Sequence, residues 1–171
     1  MSRALIFGRT GQVARELARR VPDGVTAVFL DREAADLCDP AACATAVAAH
    51  RPDLVINAAA YTAVDRAEDE EPLASVINGD APGAIAQAAQ ALDVPFLHVS
   101  TDYVFDGGGR DPWRPDAPAA PLGAYGRSKL AGEIAVRQSG TSSILRVSWV
   151  VSAHGSNFVK PMLRLAETRA A

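Results

Sequence analysis

Tyr125 and Lys129, in the segment YGRSK, stand four residues apart. That spacing is about one helical turn, so a phenol and an ammonium project from one face. A free phenol loses its proton near about pH 10, and a neighbouring ammonium favours the phenolate. The pair is therefore predicted to exchange a proton with a substrate oxygen near neutral pH. Of the 17 basic residues only Lys129 and Lys160 are lysines, so a lysine here answers a need for a compact, tunable cation. Thr101 follows Ser100 at the end of an apolar run, where it can donate a hydrogen bond to a carbonyl oxygen that Tyr125 protonates. His50, His98 and His154 lack metal-ligand spacing, no metal site is expected, and His98 reads as a core histidine inside an apolar strand.

A second constellation lies at the N-terminus. Gly8-Arg-Thr-Gly11-Gln-Val-Ala14 follows a short apolar run and opens a helical pattern. In the spacing GxxGxxA, Gly8 permits a tight turn, Gly11 lets the backbone approach a pyrophosphate, and Ala14 lets helix and strand pack closely. An anion is expected at Gly11, Gln12 and Val13, on the helix N-terminus. Asp31, 20 residues after Gly11, can accept hydrogen bonds from adenosine ribose hydroxyls, which favours NADH. Arg32 and Arg9 can instead pair with a 2′-phosphate, which favours NADPH, so the choice stays open. Asp36 and Leu37 can contact the adenine edge, with a solvated loop aspartate as the equal alternative for Asp36, and the small residues of 57–62 let a dinucleotide pass close to the backbone. For Asn78, structural and functional hydrogen bonding are not separable.

These residues need a scaffold. Strands are predicted at 4–7, 25–30, 54–56, 95–99 and 143–149, and helices at 12–20, 40–50, 72–92, 120–138 and 158–166. Residues 106–121, with three consecutive glycines, form an irregular loop at a plausible active-site rim. Strict alternation predicts an α/β fold, a doubly wound, Rossmann-like parallel sheet covered on both faces, as one domain over 1–171. The strands are nearly uniformly apolar, as a sheet buried on both sides requires. The net charge of −3, with both signs interspersed, gives no nucleic-acid or membrane footprint and points to a small-molecule partner. Cys38 and Cys43 read as idle thiols. With no apolar run near the ~18 residues of a membrane span, a cytoplasmic location is expected.

The segments GRTGQVARELAR, RPDLVINAAAYTAVDRAE, HVSTDYVFDG, YGRSKLAGE, LRVSWV and NFVKPMLRLA stand in the order and spacing of dTDP-4-dehydrorhamnose reductases. The chain resembles that family of extended short-chain dehydrogenases/reductases along essentially its whole length. The resemblance implies NADPH- or NADH-dependent reduction of the C4 keto group of dTDP-4-dehydro-L-rhamnose, with Thr101, Tyr125 and Lys129 as catalytic trio. It implies a cofactor site of Gly8, Thr10, Gly11, Gln12, Val13, Asp31, Arg32, Asp36, Leu37, Ala60, Tyr61, Thr62, Tyr125 and Lys129. Thr101, Asp102, Tyr125 and Trp149 would touch the dTDP-sugar. Asp102-Tyr103 stands where a sugar-nucleotide dehydratase is expected to carry an Asp-Glu pair. The family also carries a C-terminal substrate domain that these residues lack, so cofactor binding is expected to survive and turnover to be weak. A non-catalytic dinucleotide-binding module and a sugar-nucleotide epimerase remain as alternatives, and a homodimer is left open.

Overall fold

The structure, a computed structural model, describes residues 2–168. Five parallel strands, β1 (Ser2–Phe7), β2 (Val25–Leu30), β3 (Leu54–Asn57), β4 (Phe96–Thr101) and β5 (Ser142–Val147), form one sheet in the order β2-β1-β3-β4-β5. From β1 the chain runs outward to β2 and then back across to β3, so the strand order reverses there. A cleft opens beyond the strand ends at that point.

The helices are α1 (Gln12–Arg19), α2 (Pro40–His50), α3 (Glu71–Ser75), α4 (Ala81–Ala91), α5 (Ala124–Arg137) and α6 (Val159–Thr168). Right-handed crossovers put α1 on one face of the sheet and α2, α4 and α5 on the other, where α2 packs on α4 and α4 on α5. The main core lies beneath these three, with Leu5, Phe7, Val55 and Phe96 of the sheet against Val47, Ile85 and Val136 of the helices. Cys43 is buried in it, its thiol pushed up to about 11 by desolvation and so held inert, while Cys38 is exposed.

Uniform burial of the strands holds for β1, whose Ala4, Leu5, Ile6 and Phe7 are all buried. On β4 burial alternates instead, and on β5 Leu145 is half exposed. Right-handed crossovers bring three helices to one face near β4 and β5 but none directly over the other. No residue of α6 is buried, and Phe158 and Leu163 are exposed. Among the described residues no helix is long and apolar enough to cross a membrane.

The single helix predicted over 72–92 is three segments. Between α3 and α4, residues Val76–Asp80 make one π turn. Pro82 has no N–H for the carbonyl of Asn78 four residues earlier, and a wide turn absorbs that defect. α5 seats against this turn. A Cβ on Gly132 would lie 2.0 Å from the Asn78 carbonyl oxygen, and one on Gly126 would lie 2.3 Å from that of Tyr103. At both places the helix touches backbone, which cannot swing aside as a side chain can.

Alanine raises helix propensity over glycine by about 1 kcal/mol. A methyl forced onto a carbonyl costs about 3 kcal/mol or more, the top of the range for overpacking. Gly132→Ala is therefore expected to destabilise the fold by about 2 kcal/mol or more, read as a lower urea midpoint at unchanged slope. A variant as stable as the parent would show that α5 can move off the π turn freely.

Candidate active site

Gly8 has φ +106°, a left-handed backbone that favours glycine. Its amide donates to the Leu30 carbonyl (2.8 Å), and an added Cβ would press at 3.3 Å on Ala58 and Ala59. Gly11 is the extended N-cap of α1 and brings no capping side chain, so the first amides of the helix keep their donors. A Cβ on Gly11 would meet nothing within 4 Å, leaving room for an approaching group, and Ala14 is completely buried. Open amides at a helix N-terminus with this clearance fit a pyrophosphate.

A cleft of about 970 Å³ runs from this turn to the end of β5. Every candidate from the sequence lines it. Gly8, Thr10, Gly11, Gln12 and Val13 lie at the turn, Asp31, Arg32, Asp36 and Leu37 at the β2 end, and Ala60, Tyr61 and Thr62 after β3. Thr101, Asp102, Tyr125, Lys129 and Trp149 line the far end. At the β2 end, Arg9 Nη1 donates to Asp31 Oδ2 (3.1 Å) and the Ala34 amide to Asp31 Oδ1 (3.1 Å). The Ala34 amide and the Arg9 guanidinium hold the Asp31 carboxyl below its ordinary value. Asp36 accepts from the Cys38 amide (2.9 Å), and Arg32 lies 4.0 Å from it.

Asn78 has a structural role. Its Oδ1 accepts from the Tyr61 amide (2.9 Å), and its Nδ2 donates to the Tyr61 carbonyl (3.0 Å) and to Ser128 Oγ (3.0 Å). The π turn thereby ties the loop after β3 to α5. Ser128 Oγ donates in turn to the Tyr125 carbonyl (2.8 Å).

Thr101 Oγ1 accepts from the Tyr103 amide (3.2 Å) and lies 3.2 Å from Asp102 Oδ1, while Asp102 Oδ2 accepts from Ser148 Oγ (2.6 Å). Burial pushes the Tyr125 phenol above its ordinary value; a hydrogen bond with Thr101 opposes this, and the neighbouring Asp102 and Tyr103 add to it. The Lys129 charge expected to favour the phenolate does not outweigh this burial. The Lys129 side chain, 1% exposed, turns under β4, where Nζ donates to the Val99 carbonyl (2.8 Å) and stands 3.3 Å from His98 Nε2. Burial lowers its pKa to about 8, against the opposing charge of Glu133. Tyr125 is thus held as a phenol, the proton-donating form.

Sequence reasoning passed over four residues that position this site, Glu68, Glu71, Glu133 and Ser148. Gly123 cannot cap α5, and Glu68 Oε1 does so instead, accepting from the Ala124 amide (2.7 Å), while Glu71 takes both ends of the Arg127 guanidinium (2.8 and 2.9 Å). Glu133, fully buried, accepts from Arg146 (2.8 and 2.6 Å) and Arg137 (3.0 Å). Burial raises its carboxyl, but these guanidinium contacts outweigh it and hold the group below the usual carboxylate range. Ser148 follows β5 directly, and its place at a strand end was the one signal available. The capping and ion-pair partners lie up to 56 residues apart and leave no local pattern.

The family described as RmlD substrate binding domain matches residues 2–171. The dTDP-4-dehydrorhamnose reductase of Burkholderia thailandensis is 46% identical over 166 residues, which cover 96% of this chain and 56% of that protein. That of Escherichia coli K12 is 44% identical over 170 residues, 96% of this chain and 57% of that protein. The crystal structure of dTDP-4-dehydrorhamnose reductase from Bacillus anthracis in complex with NADP superposes with a TM-score of 0.93 at 35% identity. It covers 98% of this chain and 60% of that one. The chain spans a little over half the length of the curated relatives it matches. With the match running almost end to end, this chain belongs to the RmlD substrate binding domain family.

Proposed function

We propose that this chain forms the cofactor-binding and proton-donating part of a dTDP-4-dehydrorhamnose reductase, acting in the cytoplasm. The substrate is the C4 ketone of dTDP-4-dehydro-L-rhamnose and the product dTDP-L-rhamnose. The observation that carries this reading is one cleft in which a half-buried phenol, Tyr125, stands beside Thr101 at one end while a glycine turn opens at the other. The relatives named above carry the same activity in their names, and one of them is solved with NADP.

Gly11, Gln12 and Val13 would hold the pyrophosphate of NADPH or NADH on the α1 amides, and Asp31 or Arg9 the adenosine ribose. When bound, the reduced nicotinamide supplies the hydride. Thr101 and Tyr125 orient the ketone oxygen through hydrogen bonds. Tyr125 then gives its phenolic proton to that oxygen, so the carbonyl becomes a hydroxyl and the tyrosine a tyrosinate, which takes a proton from solvent. Asp102, fixed by Ser148, and Trp149, 71% exposed at the cleft mouth, are placed to meet the sugar.

Tyr125→Phe is expected to lower kcat for ketosugar reduction by about 10²- to 10⁴-fold. Its affinity for NADPH should stay within about threefold of the parent, because only one hydroxyl is lost. A steady-state rate above a tenth of the parent would remove Tyr125 as the proton donor. Arg9→Ala, followed by calorimetric titration, is expected to weaken NADPH about tenfold and leave NADH little changed, the loss of one solvent-screened charged hydrogen bond. Equal weakening of both cofactors would exclude Arg9 as the contact to the 2′-phosphate.

A further inference from the structure

Tyr61 is held at more points than a place in a cleft wall demands. Half-buried, it lines the cleft between Ala60 and Thr62. Its ring packs on Ala67, Ala74 and Ala124, the small cluster against which Tyr125 also packs. Asn78 takes both its amide and its carbonyl, which fixes the backbone but leaves the side chain its rotamers. The side chain is fixed from its far end, where the hydroxyl donates to Glu70 Oε2 at 2.6 Å. An ionised carboxylate only accepts, so the phenolic proton points to it, and such a bond is of the stronger, charge-assisted kind. Arg66, one turn earlier, pairs with the other oxygen of Glu70 and orients the carboxylate. Glu68 and Glu71, in the same stretch of chain, spend their contacts on α5, whereas Glu70 reaches a residue of the cleft wall without lining the cleft itself.

We infer that Glu70 is a positioning residue for the cofactor, acting through Tyr61, whose ring it locks into the cleft wall before any ligand arrives. The inference rests on the reading of this cleft as the site of a nicotinamide dinucleotide. A phenol ring that is not held samples several rotamers, and a ligand lying against it must stop that motion. A ring already fixed leaves nothing to order, a gain of about three- to tenfold in affinity for one side chain. Because Tyr61 and Tyr125 lean on the same three alanines, the lock also keeps the cofactor side of the cleft in fixed relation to the proton donor.

The chain has three tyrosines, so nuclear magnetic resonance of ¹³Cζ-tyrosine-labelled protein gives three resonances, and Tyr61→Phe identifies that of Tyr61. Glu70→Ala is expected to move this resonance toward the position of a phenol in water. The same variant should weaken NADPH, titrated by calorimetry, about three- to tenfold. Glu70→Gln loses the charge that pairs with Arg66 but keeps a carbonyl that accepts the phenolic proton, and is expected to bind NADPH as the parent does. Tyr61→Phe should weaken NADPH as much as Glu70→Ala, and the double variant no further, because the two changes remove one interaction. Equal affinity in Glu70→Ala and the parent overturns the inference. So do additive losses in the double variant, a Glu70→Gln as weak as Glu70→Ala, or a Tyr61 resonance that Glu70→Ala leaves in place. A parent that binds no NADPH overturns the cofactor reading and this inference with it, a result distinct from a parent and a Glu70→Ala variant that bind equally well.

Discussion

The constraint on which the site depends is the contact of α5 with backbone at two places along its length. Gly126 meets the Tyr103 carbonyl just past β4, and Gly132 meets the Asn78 carbonyl of the π turn. Tyr125 and Lys129 lie on the same stretch of helix, so their reach toward the cleft is set by contacts that side-chain rotation cannot relax. Long-range polar contacts then prevent the helix from sliding or turning. Glu68 caps its first amide, Glu71 grips Arg127, and Glu133 ties its last turn to β5 through Arg146. An ion pair exposed to water contributes about 0–1 kcal/mol, so the Arg127 pair orients more than it stabilises. Glu133 differs because it is fully buried, and removing either partner would leave a charge in the interior.

Once α5 is seated, burial decides the protonation states. Lys129 and Tyr125 are both desolvated, and desolvation disfavours charge on each, lowering the lysine to about 8 and raising the phenol above its ordinary value. Spacing on a helix wheel suggested a permanent cation helping a phenolate. The interior weakens that help, because an ammonium that has lost its water holds its proton less tightly. The phenol itself, raised by burial, rests protonated.

Much of this was legible in the chain. The alternation of apolar strands and helices, the glycine turn and the residues at strand ends depend on local chemistry, and all the candidates drawn from them line one cleft. What escaped were effects that need the third dimension. Asn78 looked ambiguous because its partners, Tyr61 and Ser128, are 17 and 50 residues away. The π turn was hidden because Ala-rich sequence on both sides reads as one helix, and only Pro82 signalled a break. His98 was read as core, which its burial supports, yet its ring also meets Asn57 across the sheet at 3.3 Å, 41 residues distant.

The pairing of Arg9 with Asp31 bears on why the sequence favours neither cofactor form. Each residue alone would bias the pocket, the carboxylate toward free ribose hydroxyls and the guanidinium toward a phosphate. Joined, they neutralise one another, and because Arg9 is largely open to solvent and Asp31 partly so, the pair is worth no more than about 1 kcal/mol. Opening it therefore costs less than either partner gains from a charge-assisted hydrogen bond with a ligand, roughly 1.5–3 kcal/mol. Asp31 remains held by the Ala34 amide when Arg9 leaves, so the carboxylate keeps its place while the guanidinium, 65% exposed on its side chain, is free to swing. On the proposed reading, selectivity at this end of the cleft would come down to the swing of one arginine against one fixed acid, a balance that residue identity alone does not reveal.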